Sequence, residues 1–225
     1  MACLGYGFEN PDGGLVFRPE EIPLNTQKAE PVPTEFLYRG LLRLFEVMQT
    51  EIVEITGSCN FERTIFFRDG HLHGDGKAWN ELEALIQLHS ELLSRGWVTH
   101  SSVWTAVEIL KRAEDYRILR GDSSSRTMNP TVGYCAFPFE DDKQALICTT
   151  GAPYLSQGTA SPLKIRIVEI YGQSEVEKVI RDLIWEADMC FTKLDMGLGL
   201  PWVLHVADQG ALQLSHSYKV SGITL

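Results

Sequence analysis

Five cations fall within sixteen residues, at Lys111, Arg112, Arg117, Arg120 and Arg126. Charge at that density suits a row of phosphates, which need neutralising and carry no base identity. The plainer reading is a solvated basic strand end. The chain as a whole runs the other way: its 225 residues hold 20 Lys and Arg against 30 Asp and Glu, a net charge of −10. A self-sufficient nucleic-acid binder usually shows a basic field, so phosphate binding here must rest on the local run or on partner domains. A second grouping, His71, His73 and Asp75, has the residue types of a metal site, but His-x-His on a glycine-rich loop reads more readily as exposed surface. Gly70 to Gly76 is glycine-rich without the Gly-Lys-Ser/Thr of a phosphate-binding loop. Cys3, Cys59, Cys135, Cys148 and Cys190 are widely spaced with no Cys-x-x-Cys. They read as buried, reduced thiols rather than a zinc site or a disulfide framework.

These groups need elements to carry them. At 225 residues the chain suits one domain that buries about 70% of its unfolded surface, with no need of cross-links. No apolar run reaches the ~18 residues of a membrane span, and no basic segment precedes an apolar one at the start. The expectation is a cytoplasmic protein with no membrane partner. Leu4, Tyr6 and Phe8 alternate, Asn10-Pro11-Asp12-Gly13-Gly14 turns, and Leu15-Val16-Phe17 returns, which predicts a hairpin. Pro19 to Pro33 reads as a loop or edge segment. A helix is expected from a Thr34 cap to about Glu54, and another over Glu81–Arg95, each with apolar residues at helical spacing. Between them Arg63 to Gly70 reads as a buried parallel strand, and Val103 to Leu110 as a second strand.

Arg120 to Pro130 reads as a loop. Gly133–Phe137 and Ala145–Thr150 are expected to pair antiparallel, and a turn over Ser156–Pro162 leads into a strand over Leu163–Tyr171. Glu175 to Phe191 is a further helix, Trp202 to Val206 a short strand or extended run, and Asp208 to Ser215 a last helix. Such an order predicts a mixed sheet with helices on its faces. Three acids each have a plain structural role in this scheme: Asp69 as a turn residue before Gly70, Glu35 as a charge in a helix's first turn, and Asp208 as an N-cap.

Four segments, in order, resemble the PIWI domain of Argonautes. Phe67-Arg68-Asp69-Gly70 ends a strand and is followed by a helix and Val107-Glu108-Ile109-Leu110-Lys111-Arg112. Gly158-Thr159-Ala160-Ser161-Pro162 is similar to a Gly-Thr-small-x-Pro turn of that family. Leu200-Pro201 before His205-Val206-Ala207-Asp208 resembles the closing segment, and Pro33-Thr34-Glu35-Phe36 stands where the family places a mobile glutamate. The likeness covers essentially the whole chain and is nearest the prokaryotic branch.

The resemblance implies an RNase H-like α/β fold, residues 1–225 forming one PIWI domain that is incomplete at its N-terminal side. It implies Mg2+ or Mn2+ held by Asp69 and Asp208, with Glu35 completing the catalytic set. Two-metal chemistry of that kind activates a water and steadies the leaving oxygen. Lys111, Arg112, Arg117 and Thr159 would contact the phosphates of a short guide. The C-terminal segment Gly222–Leu225 would lie near the guide's 5′ end. Partners would be the guide, its complementary target strand, and the MID- and PAZ-containing remainder of an Argonaute. The family's first catalytic Asp lies on a strand preceding the segment like Leu4 to Phe8, and this chain has no counterpart for it. Two functions follow as alternatives: guided cleavage of a target strand, or guide binding without cleavage by an inactive module or half of a split protein.

Overall fold

Two strands that lie side by side and run the same way organise the molecule. They are seen in a computed structural model that describes residues 2–9, 15–22, 32–74, 80–111, 116–121, 127–150, 161–188 and 199–220. In chain order, β1 (Ala2–Glu9) and β2 (Leu15–Ile22) form an antiparallel hairpin. Helix α1 (Thr34–Thr56) leads to β3 (Arg63–Asp69), and α2 (Glu81–Ser94) leads to β4 (Val103–Leu110). Strands β5 (Arg120–Gly121) and β6 (Thr127–Met128) make a small second hairpin. Then come β7 (Tyr134–Ala136), β8 (Gln144–Cys148), β9 (Leu163–Tyr171), α3 (Val176–Asp188) and α4 (Trp202–Val220). Five strands form one mixed sheet in the order β3-β4-β9-β8-β7, with β3 and β4 parallel and the other neighbours antiparallel. The β1–β2 hairpin is a separate two-stranded sheet, and α4 packs across both it and β3.

Alternation decides which layer each side chain joins. Phe66, Trp104 and Ala106 point to one face and pack with Leu41, Leu44 and Phe45 of α1 and Leu85, Leu88 and Leu92 of α2. The Phe45 and Trp104 rings stack at 5.7 Å and Phe45 meets Phe61 edge-on at 4.8 Å. Ile65, Phe67, Val107 and Ile109 point to the opposite face and pack with Val179, Ile180 and Leu183 of α3 and Leu204 of α4. The result is helix, sheet, helix. Each fully buried large apolar side chain contributes about 1.5–3 kcal/mol of transfer free energy, so β4, buried from Trp104 to Ile109, anchors both cores.

Several expectations need correcting. Trp202–Val206 is helical, not extended, because α4 starts at Trp202 directly after Pro201. Asp208 therefore lies in the second turn and cannot be an N-cap. Thr34 does not cap α1, which begins after Pro33 without a side-chain cap. The Thr34 hydroxyl instead accepts from Asn80 N at 2.9 Å and donates to Asn80 O at 3.1 Å, tying α1 to the start of α2. Strand β2 continues through Pro19 to Ile22 as an edge strand, which the loop-or-edge reading of Pro19 to Pro33 allowed, and residues 23–31 lie outside the described residues. The supposed loop over 120–130 contains the β5–β6 pairing. The turn over Ser156–Pro162 and the end of the α3 segment at Met189–Phe191 lie largely or wholly outside the described residues. The hairpin, the α1, α2 and β4 segments and the β7–β8 pairing are as expected, and β3 is parallel to β4 as expected but only partly buried, because it lies at the edge of the sheet.

Candidate functional site

Asp69 is the last residue of β3, and Lys111 follows the last residue of β4. The parallel register sets Asp69 opposite Ile109, two residues before Lys111, so alternation sends Asp69 and Lys111 to the same face. That face is covered by α4, whose second turn carries Asp208. Ligands of open α/β sheets gather at such carboxyl ends of parallel strands. Here they hold a three-residue cluster. Lys111 Nζ lies 2.7 Å from Asp69 Oδ2 and 2.5 Å from Asp208 Oδ2. The side chains keep 32%, 40% and 38% of their exposure, respectively. Burial by itself would lower the Lys111 pKa, but its hydrogen bonds to Asp208 and Asp69 outweigh burial and hold it above the usual lysine value. The ammonium therefore stays charged at neutral pH.

The opposite face of the same strand ends is built differently. Glu81, the first residue of α2, is 1% exposed. It accepts from Arg68 Nε and Nη2 at 3.0 and 3.1 Å, from His73 N at 3.2 Å and from Val32 N at 3.1 Å. Glu108, inside β4 and equally buried, accepts from Leu72 N at 3.0 Å and meets His71 Nδ1 at 3.1 Å, with Arg166 at 3.6 Å. These two carboxylates pin residues 71–73 and so fix the chain leaving Asp69. Gly70 allows the exit: its φ of 89° is the left-handed region that L side chains avoid, and its N–H bonds Ile109 O at 2.9 Å.

A cavity of about 280 Å³ opens along β3. Leu37 and Leu41 of α1 line one side, Val203, Ala207 and Ala211 of α4 the other, and Asp69 and Asp208 stand at its wall.

Of the residues singled out by sequence, Asp69, Asp208 and Lys111 come together. Glu35 does not join them: it lies in the first turn of α1, well exposed, with its carboxylate 2.6 Å from Arg39 Nε. Arg117 is exposed and donates to the Tyr116 carbonyl at 2.8 Å, and Arg120 is exposed on β5. Arg112, Arg126, Thr159, Asp75 and Gly222–Leu225 lie outside the described residues. His71 and His73 form no pair, since His71 turns to Glu108 and His73 is held by its backbone to Glu81. Among the described residues no three His, Cys, Asp or Glu side chains gather as a metal site. Sequence reasoning missed Glu81 and Glu108. Glu108 carried a signal, because a carboxylate within the apolar run Thr105–Leu110 is rarely buried without partners.

No family model matches the sequence, and no curated protein matches it significantly. Solved structures do. An Argonaute of Marinitoga piezophila, in complex with a 5′ OH guide RNA, superposes with a TM-score of 0.56 at 13% identity over 88% of this chain and 25% of its own. The C-terminal lobe of a budding yeast Argonaute gives 0.58 at 13% identity over 85% of this chain and 39% of its own. The fold is that of an Argonaute C-terminal lobe. Drosophila Piwi agrees, at 0.53 and 13% identity over 75% of this chain and 22% of its own. The chain thus spans between about a fifth and two fifths of these structures. In this Argonaute-like lobe the Asp69–Lys111–Asp208 cluster sits at the carboxyl ends of the parallel strands, and the cations at 117 and 120 follow β4 in the chain.

Proposed function

We propose that this chain is the PIWI part of an Argonaute-type protein and that it binds a short guide nucleic acid paired with a target strand. The observation that carries the reading is the likeness of this fold to part of an Argonaute solved in complex with a 5′ OH guide RNA. The run of cations after β4 supports it, with Arg117 and Arg120 on the surface. Contact to phosphates asks for charge and reach, which arginines supply without reading bases. Lys111, Arg112, Arg117 and Thr159 are the proposed guide contacts, although Lys111 must leave its two aspartates to serve as one. The remainder of an Argonaute, with its MID and PAZ parts, would supply the rest of the guide path and offset the acidic net charge.

Cleavage is a narrower proposal. Mg2+ or Mn2+ would need several hard oxygen ligands, and the described residues bring together only Asp69 and Asp208, with an ammonium already between them. That donor set does not fit a two-metal centre, and Glu35 is turned away from it. We assign cleavage to an assembly completed by a further carboxylate. The topology supports such completion: among the described residues β3 is an edge of the five-stranded sheet, and β1 pairs with β2 alone. A strand added at the β3 edge would run beside Asp69.

Fluorescence anisotropy with a labelled guide strand and a guide–target duplex tests binding. Affinity should fall steeply with salt, by about 0.9 log units per log unit of salt for each duplex phosphate neutralised, and Arg117→Ala should flatten the slope. Absence of binding to either probe at low salt would refute the reading. A labelled target with manganese, with and without a supplied strand bearing an aspartate, tests cleavage. Cutting is expected only with the added strand and should vanish in Asp69→Ala.

A further inference from the structure

The disagreement between the expected metal site and the observed cluster has a specific form. One oxygen of each aspartate, Oδ2 in both cases, is engaged by the same Lys111 ammonium, at 2.7 and 2.5 Å. These are lengths of charge-assisted hydrogen bonds. A bound magnesium ion would take the same oxygens at about 2.0–2.1 Å and keep waters around it. An ammonium and a divalent ion sharing those oxygens would repel each other at such range, so each disfavours the other. Nor is Lys111 a side chain that wandered in from solvent. Its backbone leaves the carboxyl end of β4 beside Asp69, the strand register points it to the α4 face, and about a third of its side chain is exposed. An ammonium partly withdrawn from water gains from pairing, and its pairing is with these two carboxylates. Conversely, with Lys111 the cluster carries one net negative charge. Without it, two carboxylates would converge unpaired, which is the charge and ligand chemistry that hard divalent cations seek.

We propose that Lys111 is a built-in counter-ion that takes the place of a divalent cation between Asp69 and Asp208, so that the free chain holds this pair closed to magnesium and manganese. The lysine, rather than a metal, then keeps the end of β3 and the second turn of α4 together. The proposal concerns the chain without nucleic acid, and it stands or falls independently of guide binding.

The test is a manganese titration of the full chain, free of nucleic acid, followed by electron paramagnetic resonance, with Asp69→Asn as the control for ions held loosely by the acidic surface. The wild-type chain should retain no more Mn2+ than its Asp69→Asn variant. Lys111→Met should bind one ion at least tenfold more tightly than wild type, and adding Asp69→Asn to it should abolish the gain. Wild-type binding of Mn2+ that depends on Asp69 would overturn the proposal, as would a folded Lys111→Met chain that binds no better than wild type. Where Lys111→Met is destabilised, the same question is read from melting temperature. Mn2+ should raise the melting temperature of that variant and leave wild type unmoved, and a variant that Mn2+ does not rescue would count against the counter-ion role.

Discussion

The two faces of the sheet end in carboxylates at the same level of the molecule, and they treat them in opposite ways. On the α2 side, Glu81 and Glu108 are 1% and 2% exposed, and backbone N–H groups and side-chain cations saturate Glu81. On the α4 side, Asp69 and Asp208 are well over a third exposed and share one ammonium. A buried carboxylate is stable only with full hydrogen bonding, so Glu81 and Glu108 are committed to holding backbone. The half-exposed pair has lone pairs to spare and a single displaceable partner. The difference separates a scaffold from a site.

Breaking the scaffold should cost most. Glu81→Ala removes the acceptor for Arg68, His73 N and Val32 N together, and loss of one member of a buried pair costs about 3–5 kcal/mol. Urea denaturation should show that loss, and a value under about 1 kcal/mol would mean the Glu81 clamp is not structural. Glu108→Gln keeps an acceptor for Leu72 N but loses the charge facing His71 and Arg166. About 1–3 kcal/mol is expected, read by the same titration.

A gentler effect of the same interior is pH dependence. Burial, followed by the nearby His100 charge, lowers the pKa of His89, which stacks on Tyr171 at 3.7 Å within the α1–α2 core. The unfolded chain then takes up a proton that the folded one refuses. Stability should be full above the unfolded histidine value of about 6.5 and fall as pH drops below it. His89→Gln should flatten that slope in melting temperature against pH, and an unchanged slope would assign the effect elsewhere.

The smallest effects belong to the open face and the surface. Asp69→Asn should change stability by no more than about 1 kcal/mol, since the pair is solvent-screened. Glu35→Ala, which breaks only an exposed helix pair with Arg39, should cost about 0.3–0.5 kcal/mol. A loss at Asp69 as large as that at Glu81 would erase the distinction between the two faces.

Much of this was legible beforehand. The helix faces of α1 and α2 repeat at helical spacing, and the β3 and β4 runs are apolar and bounded, so local pattern and tertiary demand agreed. That Asp69 and Lys111 share a face was not legible, because both strands are apolar on both sides and only the parallel register relates them. What failed were places where local pattern is ambiguous. Trp202–Val206 is a short apolar run with no period of its own, and its helix is settled by Leu204 packing under the sheet. Thr34 had the chemistry of a cap, yet a tertiary partner, Asn80, took its hydroxyl.

By itself, then, the sequence determined the layers and the parity of residues within each strand, because both follow from near-neighbour periodicity and apolar burial. Only the tertiary structure decided that Lys111 would stand between Asp69 and Asp208, that Glu35 would pair with Arg39 instead of joining them, and that Glu81 and Glu108 would be buried. Apart from the local Glu35–Arg39 pair, those outcomes depend on which charged groups the fold brings within reach across segments far apart in the chain, and the energy of each pairing is set by local burial that no linear pattern records.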